Sequence, residues 1–300
     1  MLMSKNIDFE NLVEELTYYK NLTELTADCI LKYGTLLEHA EAIRYCGTFV
    51  EVATVADNDG NFREKVTAAN FCRERLCPMC QRRKSLKMYA DVRRLVEYMT
   101  GSGWAHMVLT VRNVEAPEIS ETITSLYRNS SRLITKEPSF CRAFRGALRC
   151  LEVTYNSTDD TYHPHLHILL NTSKSYKTNK RIYISRKKLR ELWRTYAGLD
   201  YEPQVYIDAN VDDGVLAEIA KYCVKPLQLD LPLDVRCEVL ENLHEALHGR
   251  RLVQAYGSVK SALKDLRIDI NADSDHEPIA DTEQMFVYNF DLSRYDNRVI

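Results

Sequence analysis

Three hundred residues, 45% hydrophobic and 28% charged, can bury one large core or two modest ones in an ordinary globular protein. No apolar run approaches the ~20 residues a membrane helix needs, and the N-terminal MLMSKNIDFENLVEEL has no apolar core of the signal-peptide kind. These features predict a cytoplasmic protein with no membrane partner.

The net charge of −3 hides an asymmetry. Residues 1–60 hold 11 acids against 4 bases, and residues 264–300 hold 9 against 4. Residues 63–97 reverse this with 10 Lys/Arg against 4 acids, and residues 174–194 carry 9 against 1. A positive middle between acidic ends suits a polyanion such as nucleic acid. Any single basic run can equally be a solvated helix face.

Taken in chain order, residues 8–45 read as helical. The Asn58-Asp59-Gly60-Asn61 segment carries a hairpin-turn signal. A long helix is expected from about Arg82 to Thr100, ending near Gly101 and Gly103. Residues 104–112 (WAHMVLTVR) read as a strand and 118–136 as a helix. Two strand-like runs follow, 147–155 and 161–170, separated by the polar Asn156–Asp160. Helix over 186–197, strand over 203–208 and helix from Asp213 to Lys225, stopped by Pro226, come next. Residues 232–265 look helical, 284–292 suggest a final strand, and Asn271–Asp281 is acid-rich and expected to be flexible.

Nine cysteines, an odd number, argue against a disulfide framework. Cys77-Pro-Met-Cys80 is a CxxC pair before a helix, with Cys72 and Cys46 upstream. Four thiolates supply a closed, tetrahedral structural zinc site. Such a site would hold Arg73, Arg75, Arg82, Arg83 and Lys84 on a rigid basic knob. A free CxxC beside two buried thiols, or a redox pair, stays open.

Three histidines alternate in Tyr162-His163-Pro164-His165-Leu166-His167. A strand turns alternate side chains to one face, so the imidazoles share a face. If Asn156 opposes Thr161 in a hairpin, Glu152 falls opposite His165 and Thr154 opposite His163. Two imidazoles and a carboxylate suit a divalent cation with open positions, such as Mn²⁺, Mg²⁺ or Zn²⁺. The histidines span roughly 13 Å, so one ion takes His165 and His167 more easily than all three. His163 is left to a supporting role or a phosphate contact.

On the helix from Asp213, the apolar stripe is Val215, Leu216, Ile219, Ala220 and Cys223. Glu218, Lys221, Tyr222 and Lys225 fall on the other side at 100° per residue. A phenol is a weak nucleophile at its ordinary pKa near 10. Ammonium groups and a polarised electrophile would help it, and a carboxylate one turn away could act as a base. A surface helix with a Glu218–Lys221 pair explains the same residues when they are taken alone.

In order along the chain, FCRERLCPMCQRR (71–83), LTVRN (109–113), EVTYN (152–156), YHPHLH (162–167) and EIAKY (218–222) resemble the replication initiators of rolling-circle plasmids. Those proteins belong to the HUH endonuclease superfamily, and the resemblance covers roughly residues 46–226. It implies an α+β fold with a central antiparallel sheet carrying the histidine motif and flanked by helices. A Cys-rich, zinc-binding insertion and helical N- and C-terminal extensions complete the expectation. The boundaries expected are a helical extension (1–45), a Cys-rich basic segment and helix (46–100), the nickase domain (101–230), and a helical region with an acidic tail (231–300).

The resemblance further implies a site- and strand-specific DNA nickase. His165 and His167 would hold catalytic Mn²⁺ or Mg²⁺, with Glu152 as a third ligand from the hairpin register. Tyr222 would attack the scissile phosphate and stay joined to the 5′ phosphate. Glu218 would activate the water that ends the cycle. Lys221, Lys225 and Arg73, Arg75, Arg82 and Arg83 would contact the DNA, and Cys46, Cys72, Cys77 and Cys80 would hold structural Zn²⁺. Its partners would be plasmid origin DNA, as a hairpin or single-stranded nick site, and a host helicase and polymerase. A P-loop motif is absent from the sequence. Two rivals remain: a histidine-triad nucleotide hydrolase or transferase, and a non-catalytic zinc-bearing DNA-binding regulator.

Overall fold

A computed structural model describes residues 9–33, 37–56, 62–220, 231–272 and 284–298. Helices α1 (Phe9–Tyr33) and α2 (Leu37–Tyr45) precede strands β1 (Phe49–Ala56) and β2 (Phe62–Ala69). Then come α3 (Pro78–Tyr98), β3 (Gly103–Thr110), α4 (Ile119–Lys136), α5 (Pro138–Ala143), β4 (Gly146–Asn156) and β5 (Thr161–Thr172). The chain continues through α6 (Arg186–Ala197), β6 (Val205–Asp208), α7 (Asp213–Ala220), α8 (Leu233–Leu247), β7 (Val253–Tyr256), α9 (Gly257–Asp265), β8 (Gln284–Asn289) and β9 (Arg294–Arg298). The class is α+β with two antiparallel sheets. Contacts divide the chain into two compact units, one of residues 1–83, 226–241 and 273–300, the other of residues 84–225 and 242–272.

In the first unit the sheet order is β2-β1-β8-β9. The strands either side of the Asp59-Gly60 signal pair antiparallel, with a bulge between Glu51 and Val52. The turn itself lies outside the described residues. Leu16 and Ile30 of α1, Ile43 of α2, Val50, Val52, Phe286 and Tyr295 form the core. Gly47 has φ +68°, a conformation that strains any residue with a Cβ, and a Cβ there would also meet Met79 Cε at 2.6 Å, so that side chain would have to shift. Lys20 is fully buried. Its ammonium meets the Glu24 carboxylate and the Arg44 carbonyl, and lies over the Tyr288 and Phe290 rings at 5.1 and 5.3 Å. A buried ammonium requires partners of this kind.

The second unit is built on a five-stranded sheet of order β6-β3-β5-β4-β7. The histidine strand β5 occupies its middle. Both faces of that sheet are covered. On one, Met88, Val92 and Leu95 of α3, Leu216 and Ile219 of α7 and Val259 and Leu263 of α9 pack with Leu148, Cys150 and Leu169. On the other face Arg149 of β4 reaches α4, donating to the Tyr127 carbonyl at 3.2 Å and stacking on the Tyr127 ring at 4.0 Å. α4 buries Ile119, Ile123, Leu126, Ser130 and Leu133, one stripe at helical spacing. α6 starts at Ser185, whose hydroxyl accepts from the Lys188 amide, and stops at Gly198, φ +67°. It buries Leu189 and Trp193. The Trp193 indole N–H donates to the Thr110 carbonyl at 2.8 Å, tying α6 to the end of β3.

The stretch 232–265 is not one helical region. α8 ends at Leu247, Gly249 takes φ +64°, and β7 pairs antiparallel with β4 before α9 begins. The edge of β4 recruits this segment because its backbone groups need partners. The strand expected over 284–292 ends at Asn289, and β9, with the sequence RYDNR, pairs beside it. A charged strand is typical of a sheet edge and carries no apolar alternation to read. From residue 273 on, the acid-rich segment lies outside the described residues. No described helix is long and apolar enough to cross a membrane.

Candidate metal centres

The β4–β5 hairpin pairs Asn156 with Thr161, Glu152 with His165 and Thr154 with His163. The pleat therefore aims the Glu152 carboxylate and the imidazoles at one face. Glu152 Oε2 lies 3.1 Å from His167 Nε2 and 3.4 Å from His165 Nε2. One ligand atom from each of the three buried residues lies within 4.8 Å of the others. His167 Nε2 is buried and has no aligned hydrogen-bond partner among the described residues, despite its distance to Glu152. A carboxylate oxygen and two imidazole nitrogens that converge this closely in a buried site suit a divalent cation between them.

His163 is outside this group. Its ring stacks on His165 at 4.8 Å, and its carbonyl accepts from His165 Nδ1 at 3.0 Å. That bond puts the His165 proton on Nδ1 and leaves Nε2 as the lone-pair nitrogen facing Glu152. Burial opposes ionisation of Glu152, but the close approach of His165 and His167, and their charge when protonated, outweigh it and hold the carboxyl well below its usual range. Burial, then the His165 charge, pushes His163 down.

His106 is a member of the cluster that sequence reasoning did not find. It sits on β3 opposite Leu169, while Val108 opposes His167. Its side chain thus shares the face of His167 one diagonal step away. His106 Nε2 is 3.2 Å from His167 Nδ1, and the two rings are nearly parallel, 10° apart with centroids at 5.4 Å. Tyr206 of β6 meets the His106 ring edge-on at 5.8 Å, and Arg186 lies over Tyr206 at 5.2 Å. Burial, then the His167 charge, pushes His106 down to about 4. The carboxylates of Glu218 and Asp208 act in the opposite direction. The WAHMVLT strand was legible in the sequence, but its register against β5 was not.

Glu218 is half-buried on α7, close enough to His106 for its charge to be felt there. Tyr222, Lys221 and Lys225 lie outside the described residues.

In the first unit the four thiols of Cys46, Cys72, Cys77 and Cys80 come within 4.8 Å of one another. Cys80 Sγ is 3.6 Å from Cys46 Sγ and 3.7 Å from Cys72 Sγ. The CxxC pair starts α3, while Cys46 and Cys72 lie at the two ends of the β1–β2 region. Backbone amides point at the sulfurs: Cys72 N–H at Cys46 Sγ (3.4 Å) and Arg73 N–H at Cys80 Sγ (3.1 Å). Arg73 adopts φ 64° to do this. Contacts from Cys46, Cys72 and Cys77 push the Cys80 thiol down, while burial, then Cys46, Cys72 and Cys80, push Cys77 up. None of the eight described cysteines is in a disulfide. Beside the cluster, Arg82 is engaged by Glu15 through two hydrogen bonds of 2.8 and 2.6 Å. Arg83 stacks on Phe71 at 4.8 Å.

A buried acid–imidazole cluster on an antiparallel sheet, accompanied by a four-thiol cluster, defines a protein with two candidate metal centres of different chemistry. Residues 63–295 match the family described as replication protein (Rep_1), and the chain belongs to that family. It is 30% identical over 262 residues to "Protein rep" of Streptococcus pneumoniae serotype 2 (strain D39 / NCTC 7466), covering 83% of this chain and 78% of that one. It is 33% identical over 190 residues to "Protein rep" of Staphylococcus aureus, covering 62% and 81%. With "Protein rep" of Lentilactobacillus hilgardii the identity is 28% over 279 residues, covering 85% and 86%. No solved structure matches the chain.

Proposed function

We propose that this replication protein initiates rolling-circle replication of a plasmid by nicking one strand of the origin and holding the 5′ end covalently. The observation that carries the reading is the convergence of Glu152, His165 and His167 on the sheet face against which α7 packs. The sequence of α7 runs directly on to Tyr222. When bound, Mn²⁺ or Mg²⁺ would polarise a phosphate oxygen and neutralise charge at phosphorus. Glu152, His165 and His167 hold that ion, and His163 orients His165 through its carbonyl. Tyr222 contributes its phenolic oxygen: the O–P bond forms, the bond to the 3′ oxygen breaks, and the proton lost by the phenol ends on the 3′-OH. The freed 3′-OH primes a host polymerase, with a host helicase separating the strands. Glu218 takes a proton from the water that attacks at termination. Lys221, Lys225, Arg73 and Arg75 favour the phosphate backbone electrostatically. The four cysteines take zinc as a structural ion. The turning of the His165 and His167 ring nitrogens onto a carboxylate favours cation binding over a histidine nucleophile.

The test is Tyr222→Phe with Mn²⁺ and an oligonucleotide carrying the nick site. Covalent capture, stable to acid, is expected for the wild type and absent from the variant, with origin binding retained. Full nicking by the variant would refute the nucleophile assignment.

A further inference from the structure

We infer that His106 is a positioning residue that fixes His167 in the one tautomer able to bind a cation through Nε2. The inference rests on the proposed metal role of Glu152, His165 and His167. His167 presents Nε2 to Glu152 at 3.1 Å and Nδ1 to His106 Nε2 at 3.2 Å. A neutral imidazole carries one proton. If His167 ligates through Nε2, its proton is on Nδ1 and must be donated. His106 Nε2 is the atom within reach, so it accepts and carries its own proton on Nδ1. The reverse bond, with His106 donating, would put the His167 proton on Nε2 and close that nitrogen to a metal.

The arrangement is held on several sides. His106 is 6% exposed, so water competes weakly for the bond. The rings are 10° from parallel, and Tyr206 fixes the His106 ring edge-on from β6. Backbone pairing of β3 with both β5 and β6 sets the spacing. The two ligand imidazoles are thus oriented by different devices. His165 uses the carbonyl of His163 within its own strand, and His167 uses a side chain from the next strand. Acceptors behind metal-bound histidines raise ligand basicity and restrict ring rotation, and losing one typically costs about 10–100-fold in metal affinity.

The experiment measures Mn²⁺ affinity of the full chain by calorimetry for wild type, His106→Phe and His106→Gln, with circular dichroism on each metal-free protein. Phe keeps the ring and removes the acceptor; the Gln amide oxygen restores an acceptor without the ring. Expected is a loss of about 10–100-fold for His106→Phe, with His106→Gln closer to wild type. Unchanged affinity in His106→Phe, or equal weakness in both variants, overturns the inference while leaving the metal site intact. Absence of Mn²⁺ binding by the wild type would instead overturn the metal reading, and this inference with it. Should His106→Phe fail to fold, histidine-selective ¹⁵N NMR of the Mg²⁺-loaded wild type decides. An unprotonated His106 Nε2 is expected, and a protonated one refutes the assignment.

Discussion

Replacing Cys72 with Ala separates a metal ligand from a packed thiol. Cys72 is the one member of the four-thiol cluster that is only half-buried. As a mere hydrophobe, its sulfur contributes well under about 1 kcal/mol at ~25 cal/mol per Å². As a ligand, it contributes far more. A regular tetrahedron with edges equal to the 3.6 and 3.7 Å Sγ–Sγ distances from Cys80 would have its centre about 2.2–2.3 Å from each vertex, close to the zinc–thiolate bond of about 2.3 Å. Structural zinc is worth on the order of 10 kcal/mol in small peptides, comparable to the whole stability of a domain at roughly 5–15 kcal/mol. Losing one thiolate of four should therefore cost several kcal/mol. The assay pairs zinc content by mass spectrometry with thermal unfolding, with and without chelator. One zinc per chain, a much lower content in Cys72→Ala, and early unfolding of both that variant and the chelated wild type are expected. A variant destabilised by less than about 1 kcal/mol with its zinc content unchanged would refute the reasoning.

Three other outcomes are expected. Glu152→Gln preserves shape but removes the charge between His165 and His167, so Mn²⁺ affinity should fall by more than about tenfold; an unchanged Kd in calorimetry would remove Glu152 from the site. Glu218→Ala should nick but terminate poorly, leaving multimeric single strands on gels, and normal termination would count against its role as base. Glu137 is held below the usual carboxylate range, first by the Ser139 hydroxyl, against burial, and further by the Ser139 amide and Tyr196 hydroxyl. A depressed carboxyl stabilises the fold above its unfolded pKa near 4.3 and loses that contribution as pH falls through the lower, folded value. Urea titrations of wild type and Glu137→Gln should therefore differ at pH 6 and converge in strong acid; a gap that persists there would place the effect elsewhere.

The sequence by itself determined the local parts of this protein. Alternation in 147–155 and 161–170, with four polar residues between Asn156 and Thr161, sufficed for the hairpin register that brings Glu152 to His165. The CxxC at the start of α3 and the helical stripe of α4 were equally legible, because neighbours within one turn or one hairpin are set by 3.6- and 2-residue periods. Tertiary structure alone decided what meets across long separations. Cys46 and Cys72 close on Cys77 and Cys80 only once β1 and β2 pair and Arg73 turns to positive φ. Residues 253–256 become a strand only because β4 offers an edge. His106 reaches His167, 61 residues away in sequence, because β3 pairs with β5 in one register of the several that its apolar pattern allows. Periodicity specifies which face a side chain takes, but a nonlocal register is chosen by the packing of the whole sheet.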